Sequence, residues 1–312
     1  MAMASVPTQA PPCPFPLARA PRAARAPGAA HEWLQLAPAS LQGAMVALVG
    51  RDTRALALES AQRLTHFPAS PLVTLSWFRD VDVGLVTQGA HGPAWEPFAG
   101  RVMVSGTHAH PSVSWAPTTG IGHVACFNAD AAQSLFGLDL AAIQDRFVPA
   151  SQVTGTEFTP LWEALLARDA PGVATIFEDH LARRWQALKG RASRRASLQQ
   201  LGRHWVERLA WQASQWGRVH SPRHVERRIK SFSGRSLREW QSLVRTEGLF
   251  FAARQRHDAG LPFDWATLAL DEGFTDQAHM IRSVKRITGF SPTEFAERFS
   301  RDESFWMYRL WV

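Results

Sequence analysis

Two clusters about 55 residues apart hold side chains suited to reading the edges of base pairs. Arg223, Glu226 and Arg227 stand in the first, and Gln277, Ala278, Ile281 and Arg282 in the second. An Arg guanidinium can make a two-pronged hydrogen bond to guanine, and a Gln amide to adenine. The carbon of Ala or Ile can meet a thymine methyl. Lys230, Lys285 and Arg286 add cations of the kind that hold phosphates. Ser236 and Ser291 open helices whose free N–H groups favour anions. The plainer reading of Arg227 and Arg282 is a weak surface pair with an acidic neighbour, Glu226 or Asp276.

Both clusters sit in one repeated pattern. The first copy reads Ser221-Pro-Arg-His-Val-Glu-Arg-Arg-Ile-Lys230 and then Gly234-Arg-Ser-Leu-Arg-Glu-Trp240. The second reads Asp276-Gln-Ala-His-Met-Ile-Arg-Ser-Val-Lys285 and then Gly289-Phe-Ser-Pro-Thr-Glu-Phe295. Ser221 and Asp276 are good N-caps, because their side-chain oxygens accept first-turn N–H groups. Pro222 suits the first helical position, where a missing N–H costs nothing. Val225, Ile229 and Phe232 recur at helical spacing, as do Met280, Val284 and Ile287, so each helix has one apolar stripe. Gly234 and Gly289 fit the left-handed position that ends a helix. Ser236 to Glu239 and Ser291 to Glu294 read as capping boxes that start the next one. The pattern predicts helices over about 221–232 and 276–288, with a long linking helix from Leu237 to Arg256.

These residues resemble the AraC-type transcription regulators over about 191–299. The run Leu268-Ala269, Gly273-Phe274, Asp276-Gln-Ala-His279, Arg282, Lys285 and Gly289-Phe-Ser-Pro292 carries the resemblance. The first copy departs from the pattern, since Gly217 stands one residue out of register with Gly273. Ile229 and Val284 also stand where the family usually has Phe. The resemblance implies two helix-turn-helix motifs joined by a long helix. Each second helix would then enter the major groove, the two ~34 Å apart. Gly106, Gly120 to Ala132 and Leu138-Asp-Leu140 are similar to AraC-like proteins with an uncharacterised N-terminal domain, which implies a sensing role. The Cys-rich N-terminal arrangement of the family's DNA-repair members is absent, which disfavours methyl transfer.

Charge is divided unevenly. Residues 191–312 hold 21 Lys and Arg against 13 Asp and Glu, a net of +8, while the preceding 190 residues carry −1. That asymmetry is a footprint of nucleic-acid binding, although a solvated surface or an acidic partner would also account for it. No run of about 18 apolar residues exists, so no membrane span is expected. The two cysteines, Cys13 and Cys126, make neither a disulfide framework nor a zinc site, which fits a cytoplasmic, nucleoid-associated protein. Residues 1–30, rich in Ala, Pro and Arg, read as a disordered tail.

Between 31 and 155 the pattern turns to strands. Leu72–Phe78, Val81–Val86, Arg101–Ser105 and Ser112–Trp115 are short runs of β-branched and aromatic residues parted by Gly and Pro. Asn128–Phe136 and Asp139–Phe147 read as helical, and 156–190 as a helical connector. The fold class expected is α+β: a β-rich sensor or dimerisation domain (31–155), then an all-α DNA-binding domain (191–300) and an aromatic tail (301–312). His108 and His110 could share a strand face and converge on a metal with His123. No carboxylate follows closely, and Pro111 interrupts the strand, so polar loop histidines are the commoner outcome. No nucleophile elbow, phosphate loop, dinucleotide fingerprint or HExxH motif is present.

The expectation is therefore a transcription factor, without enzymatic activity or cofactor, that reads double-stranded DNA. A small-molecule effector, RNA polymerase and a second copy are its further candidate partners. The alternatives are a non-specific architectural DNA-binding protein, or a metal-dependent N-terminal enzyme fused to a DNA-targeting module.

Overall fold

Alternation of side chains along the strands builds the first half of the molecule. The computed structural model describes residues 13–26, 31–90, 92–167, 172–188, 198–233, 235–259, 265–271 and 273–311. Gly234, residues 189–197 and the side chains of Phe232, Phe250 and Phe251 lie outside the described residues. The strands are β1 (Glu32–Leu36), β2 (Met45–Asp52), β3 (Leu64–Phe67), β4 (Leu72–Arg79) and β5 (Gly84–Gly89). They continue with β6 (Gly92–Pro97), β7 (Val102–Ser105), β8 (Ser112–Trp115), β9 (Ile121–Asn128) and, after helix α1 (Ala129–Phe136), β10 (Phe147–Pro149). Six strands form one antiparallel sheet in the order β1-β2-β9-β4-β7-β10, and four form a second in the order β3-β8-β5-β6.

Successive strand residues face opposite sides. On β4, Val73, Leu75 and Trp77 turn into the main core, while Thr74, Ser76 and Phe78 turn toward the second sheet. On β9, Ala125 and Phe127 share the first face, and Val124 and Cys126 the second. The core face is covered by α1 and by α3 (Thr159–Ala167) and α4 (Val173–Ala187), which follow the short α2 (Ala150–Val153). Trp77 lies 5.8 Å from Phe177 of α4, ring centre to ring centre. His123, paired with Trp77 across β9 and β4, stacks on that indole at 4.9 Å.

The second half is helical. It holds α5 (Leu198–Gly217), α6 (Pro222–Ser233), α7 (Leu237–Asp258), α8 (Trp265–Asp271), α9 (Gln277–Thr288), α10 (Pro292–Arg301) and the terminal α11 (Trp306–Trp311). The chain is thus β-rich first and helical after, as its sequence predicts. Val206 and Leu209 of α5, Ile229 of α6, Trp240 and Leu243 of α7 and Ile287 of α9 belong to the same apolar cluster as Trp77 and Phe127. A second cluster joins Leu249, Leu268, Phe274, Met280, Val284 and Phe295 to Phe305 and Tyr308 of the last segment.

Two local expectations change. Asp139–Phe147 is not a helix: residues 140–145 form turns, and Phe147 begins β10. The Asp139 carboxylate does accept the Ala141 and Ala142 N–H groups, as a helix cap would. The chain then breaks off at Asp145, whose φ of 55° is left-handed. Nor is 1–30 a free tail throughout. Residues 13–26 lie along the end of α10, where Arg22 N–H donates to Arg301 O (2.6 Å) and Glu303 N–H to Ala20 O (2.5 Å). Arg298 donates to the carbonyls of Leu17 and Ala18, which satisfies a buried guanidinium. Residues 1–12 and 27–30 lie outside the described residues.

The aromatic end folds back on the sheets. Trp306 Nε1 donates to Thr65 Oγ1 at 2.8 Å. Arg51, almost wholly buried, is hydrogen-bonded to Glu303, lies 3.6 Å from Glu32 and stacks over Trp306.

Candidate nucleic-acid interface

Caps and turns place the two basic helices. At α9, Asp276 accepts the His279 N–H at 2.6 Å. That bond, first among its surroundings, holds the Asp276 carboxyl below its usual range. Gly289 closes the helix at φ 85°. A side chain there would be strained, so Gly is what the position needs. Gly273 turns the chain from α8 at φ 77°, and Phe274 plugs the turn against Leu268 and Met280. At α6, the Ser221 hydroxyl faces the His224 N–H at 3.4 Å, a weaker cap. Gly217 stays helical at the end of α5, so the first turn is built without the left-handed glycine of the second.

The expected reading residues all face solvent. Arg223, Glu226 and Arg227 are exposed on α6, as are Gln277, Ala278, Ile281 and Arg282 on α9. Buried Ile229 on one helix, and Met280 and Val284 on the other, fix which face turns outward. Glu226 pairs with Lys230 at 3.3 Å rather than with Arg227. Arg227 instead meets His224 Nδ1 at 3.2 Å. Lys285 is exposed on the last turn of α9, while Arg286 is hydrogen-bonded to Ser242 of α7. Ser236 is engaged in its capping box: its N–H donates to Glu239 Oε2 at 2.8 Å, and its hydroxyl accepts the Glu239 N–H at 3.3 Å. Ser291 accepts the Glu294 N–H at 3.3 Å and opens α10. Both α6 and α9 pack on α7.

Contacts that the sequence does not announce hold this half to the sheets. Arg235, buried in the turn between α6 and α7, donates to Thr107 O at 2.9 Å and to Asp145 at 3.0 Å. Ala69 N–H donates to Ile287 O at 2.8 Å, so the end of α9 hydrogen-bonds the segment between β3 and β4. These partners are 90 or more residues apart in sequence, and no local pattern could pair them.

A cavity of about 130 Å³ lies where the parts meet. Phe67, Phe78, Phe98, Phe147 and Val124 line it from the sheets. Thr74, Ser76, Ser105, Ser112 and Ser114 set hydroxyls in its wall. Leu243 of α7, Ile287 of α9, and Met307 and Tyr308 of α11 close it. The sequence signal for it is a pair of small hydroxyl residues two apart on each of β4 (Thr74, Ser76) and β8 (Ser112, Ser114), read with the period of a strand.

The three histidines are not gathered. His108 lines this cavity, hydrogen-bonded to Ser105, with Nδ1 4.0 Å from Asp145. Burial lowers its pKa to about 4, against the opposing pull of Asp145. His110 is exposed, and His123 stacks on Trp77 with the Trp33 ring tilted against it at 5.8 Å. Among the described residues no group of three or more His, Cys, Asp or Glu could hold a metal ion, and no helix is long and apolar enough to cross a membrane.

No family model matches the sequence, and no curated protein matches it. Among solved structures the chain is similar to ToxT from Vibrio cholerae, at 9% identity over 85% of this chain and 97% of that one, with a TM-score of 0.38. ToxT bound to (E)-4-(8-methylnaphthalen-1-yl)but-3-enoic acid is similar at 8% identity over 85% and 98%, with a TM-score of 0.37. ToxT of strain SCE256 with bound unsaturated fatty acid is similar at 11% over 74% and 93%, with a TM-score of 0.32.

Proposed function

We propose that this protein is a transcription regulator that reads duplex DNA with α6 and α9 and answers a small molecule through its β-rich half. The observation that carries the reading is the repeated capped helix. Ile229, with half-buried Val225, turns inward on α6, as Met280, Val284 and Ile287 do on α9, and each copy leaves its Arg and Lys side chains in solvent. Arg223 and Arg227 on α6, and Arg282 with Gln277 on α9, would read base edges. Glu226, Ala278 and Ile281 complete the contact surface. Lys230, Lys285, Arg286 and the Ser236 and Ser291 helix starts would face phosphates, with Lys230 and Arg286 first leaving their present partners. This is the arrangement that the AraC-type resemblance implies.

The test is selection of duplex DNA from a random pool by the full chain, repeated with Arg227 and Arg282 both changed to Ala. The expected result is an asymmetric motif spanning two major-groove turns, lost in the double variant. Salt-sensitive binding with no enriched motif would point to an architectural DNA-binding protein instead.

A further inference from the structure

We infer that the cavity between the two sheets is a binding site for an uncharged, mainly apolar molecule of about one aromatic ring with one hydroxyl group. Its size sets the first limit. A cavity of about 130 Å³ is close to the roughly 150 Å³ that accommodates benzene in an engineered protein core. Its walls set the second. Among the described residues no Asp, Glu, Lys or Arg lines it. His108, the one imidazole among those lining residues, is kept neutral by burial. The ion pair behind His108 joins Asp145 to Arg235, so each already has its counter-charge. A carboxylate entering the cavity would therefore lose its water without gaining a cation. A hydroxyl would find partners, because Thr74, Ser76, Ser112 and Ser114 line the same space as His108.

The site also reaches the DNA-reading half, and here the inference rests on the regulator reading above. Leu243 belongs to the helix that carries both reading units, and Ile287 to the second reading helix itself. A ligand touching both adds contacts that exist only while α7 and α9 are docked on the sheets. It therefore favours the docked state by its difference in affinity for the two states. Met307 and Tyr308 make the terminal segment the remaining wall.

The test compares p-cresol, p-toluate and p-toluamide, the last two matched in size and differing in charge at pH 7, using calorimetry on the whole chain without DNA. One molecule of p-cresol should bind per chain, and p-toluate at least tenfold more weakly than p-toluamide. Ser114→Leu, which fills the space, should abolish binding while the far-ultraviolet spectrum and melting midpoint are retained. Val124→Phe serves the same purpose from the opposite sheet if Ser114→Leu does not fold. Absence of p-cresol binding at millimolar concentration would overturn the site, and equal binding of p-toluate would overturn the ligand class. Hydrogen exchange of α9 amides should slow several-fold with p-cresol bound; unchanged exchange despite binding would overturn the coupling. Failure to select any DNA motif would count against the regulator reading and leave the binding result standing.

Discussion

Arg282 and Lys285 lie three residues apart on one exposed helix, yet different outcomes follow from changing them. On the proposed reading, Arg282→Ala removes a two-pronged donor that would meet a base edge. It should weaken the selected sequence by about 1–3 kcal/mol and relax choice at one position. Lys285→Ala removes a point charge, so it should weaken all duplexes alike and reduce the salt slope by about 1. Titrations of matched and scrambled duplexes at several salt concentrations separate the two. Buried imidazoles make a second prediction at this scale. His66 packs against Phe290 and Phe305, and burial lowers its pKa to about 3; that of His108 falls to about 4. Both would hold a proton more readily when unfolded, so unfolding takes up protons below about pH 6.5. Stability should fall as pH drops from there toward 4 and 3, and urea midpoints for His66→Gln should fall less steeply over that range.

At the scale of elements, capping decides which helices persist. Asp276→Ala removes the bond to the His279 N–H and should lower the urea unfolding midpoint. Ser221→Ala should cost less, because its cap is longer at 3.4 Å. The same caps made α6, α9 and α10 legible in sequence, and β-branched runs did the same for β4, β7 and β8. Asp139 misled because its cap is real, but the helix it would start stops within a turn at left-handed Asp145. Strands β1, β2 and β6 were not anticipated. Gly50 in β2, and Pro93 and Pro97 in β6, break the expected composition; cross-strand pairing supplies what local preference does not. The exposed face of each basic helix was legible because helix period alone assigns it. The cavity was not, because its walls come from strands, helices and the chain end together.

Across the whole molecule, the terminal contacts bind the two halves into one body. Arg51 and Glu303 are both buried, and each would be left without its main counter-charge by loss of the other. Glu303→Ala should therefore destabilise the protein by about 3–5 kcal/mol. The double change Arg51→Met with Glu303→Leu should restore much of that. Chemical denaturation of the three variants beside the wild type reads both effects. Because the apolar cluster of Trp77 also includes Trp240 and Ile287, sheet and helix signals should be lost in one transition in each case. The contact between Pro21 and Asp302 has a further consequence, in time rather than in energy. A ribosome delivers residue 21 long before residue 302, so the first segment must wait, unpaired, for its partner. The packing of residues 13–26, the buried ion pair and the far wall of the cavity can form only after almost all of this sequence has been made.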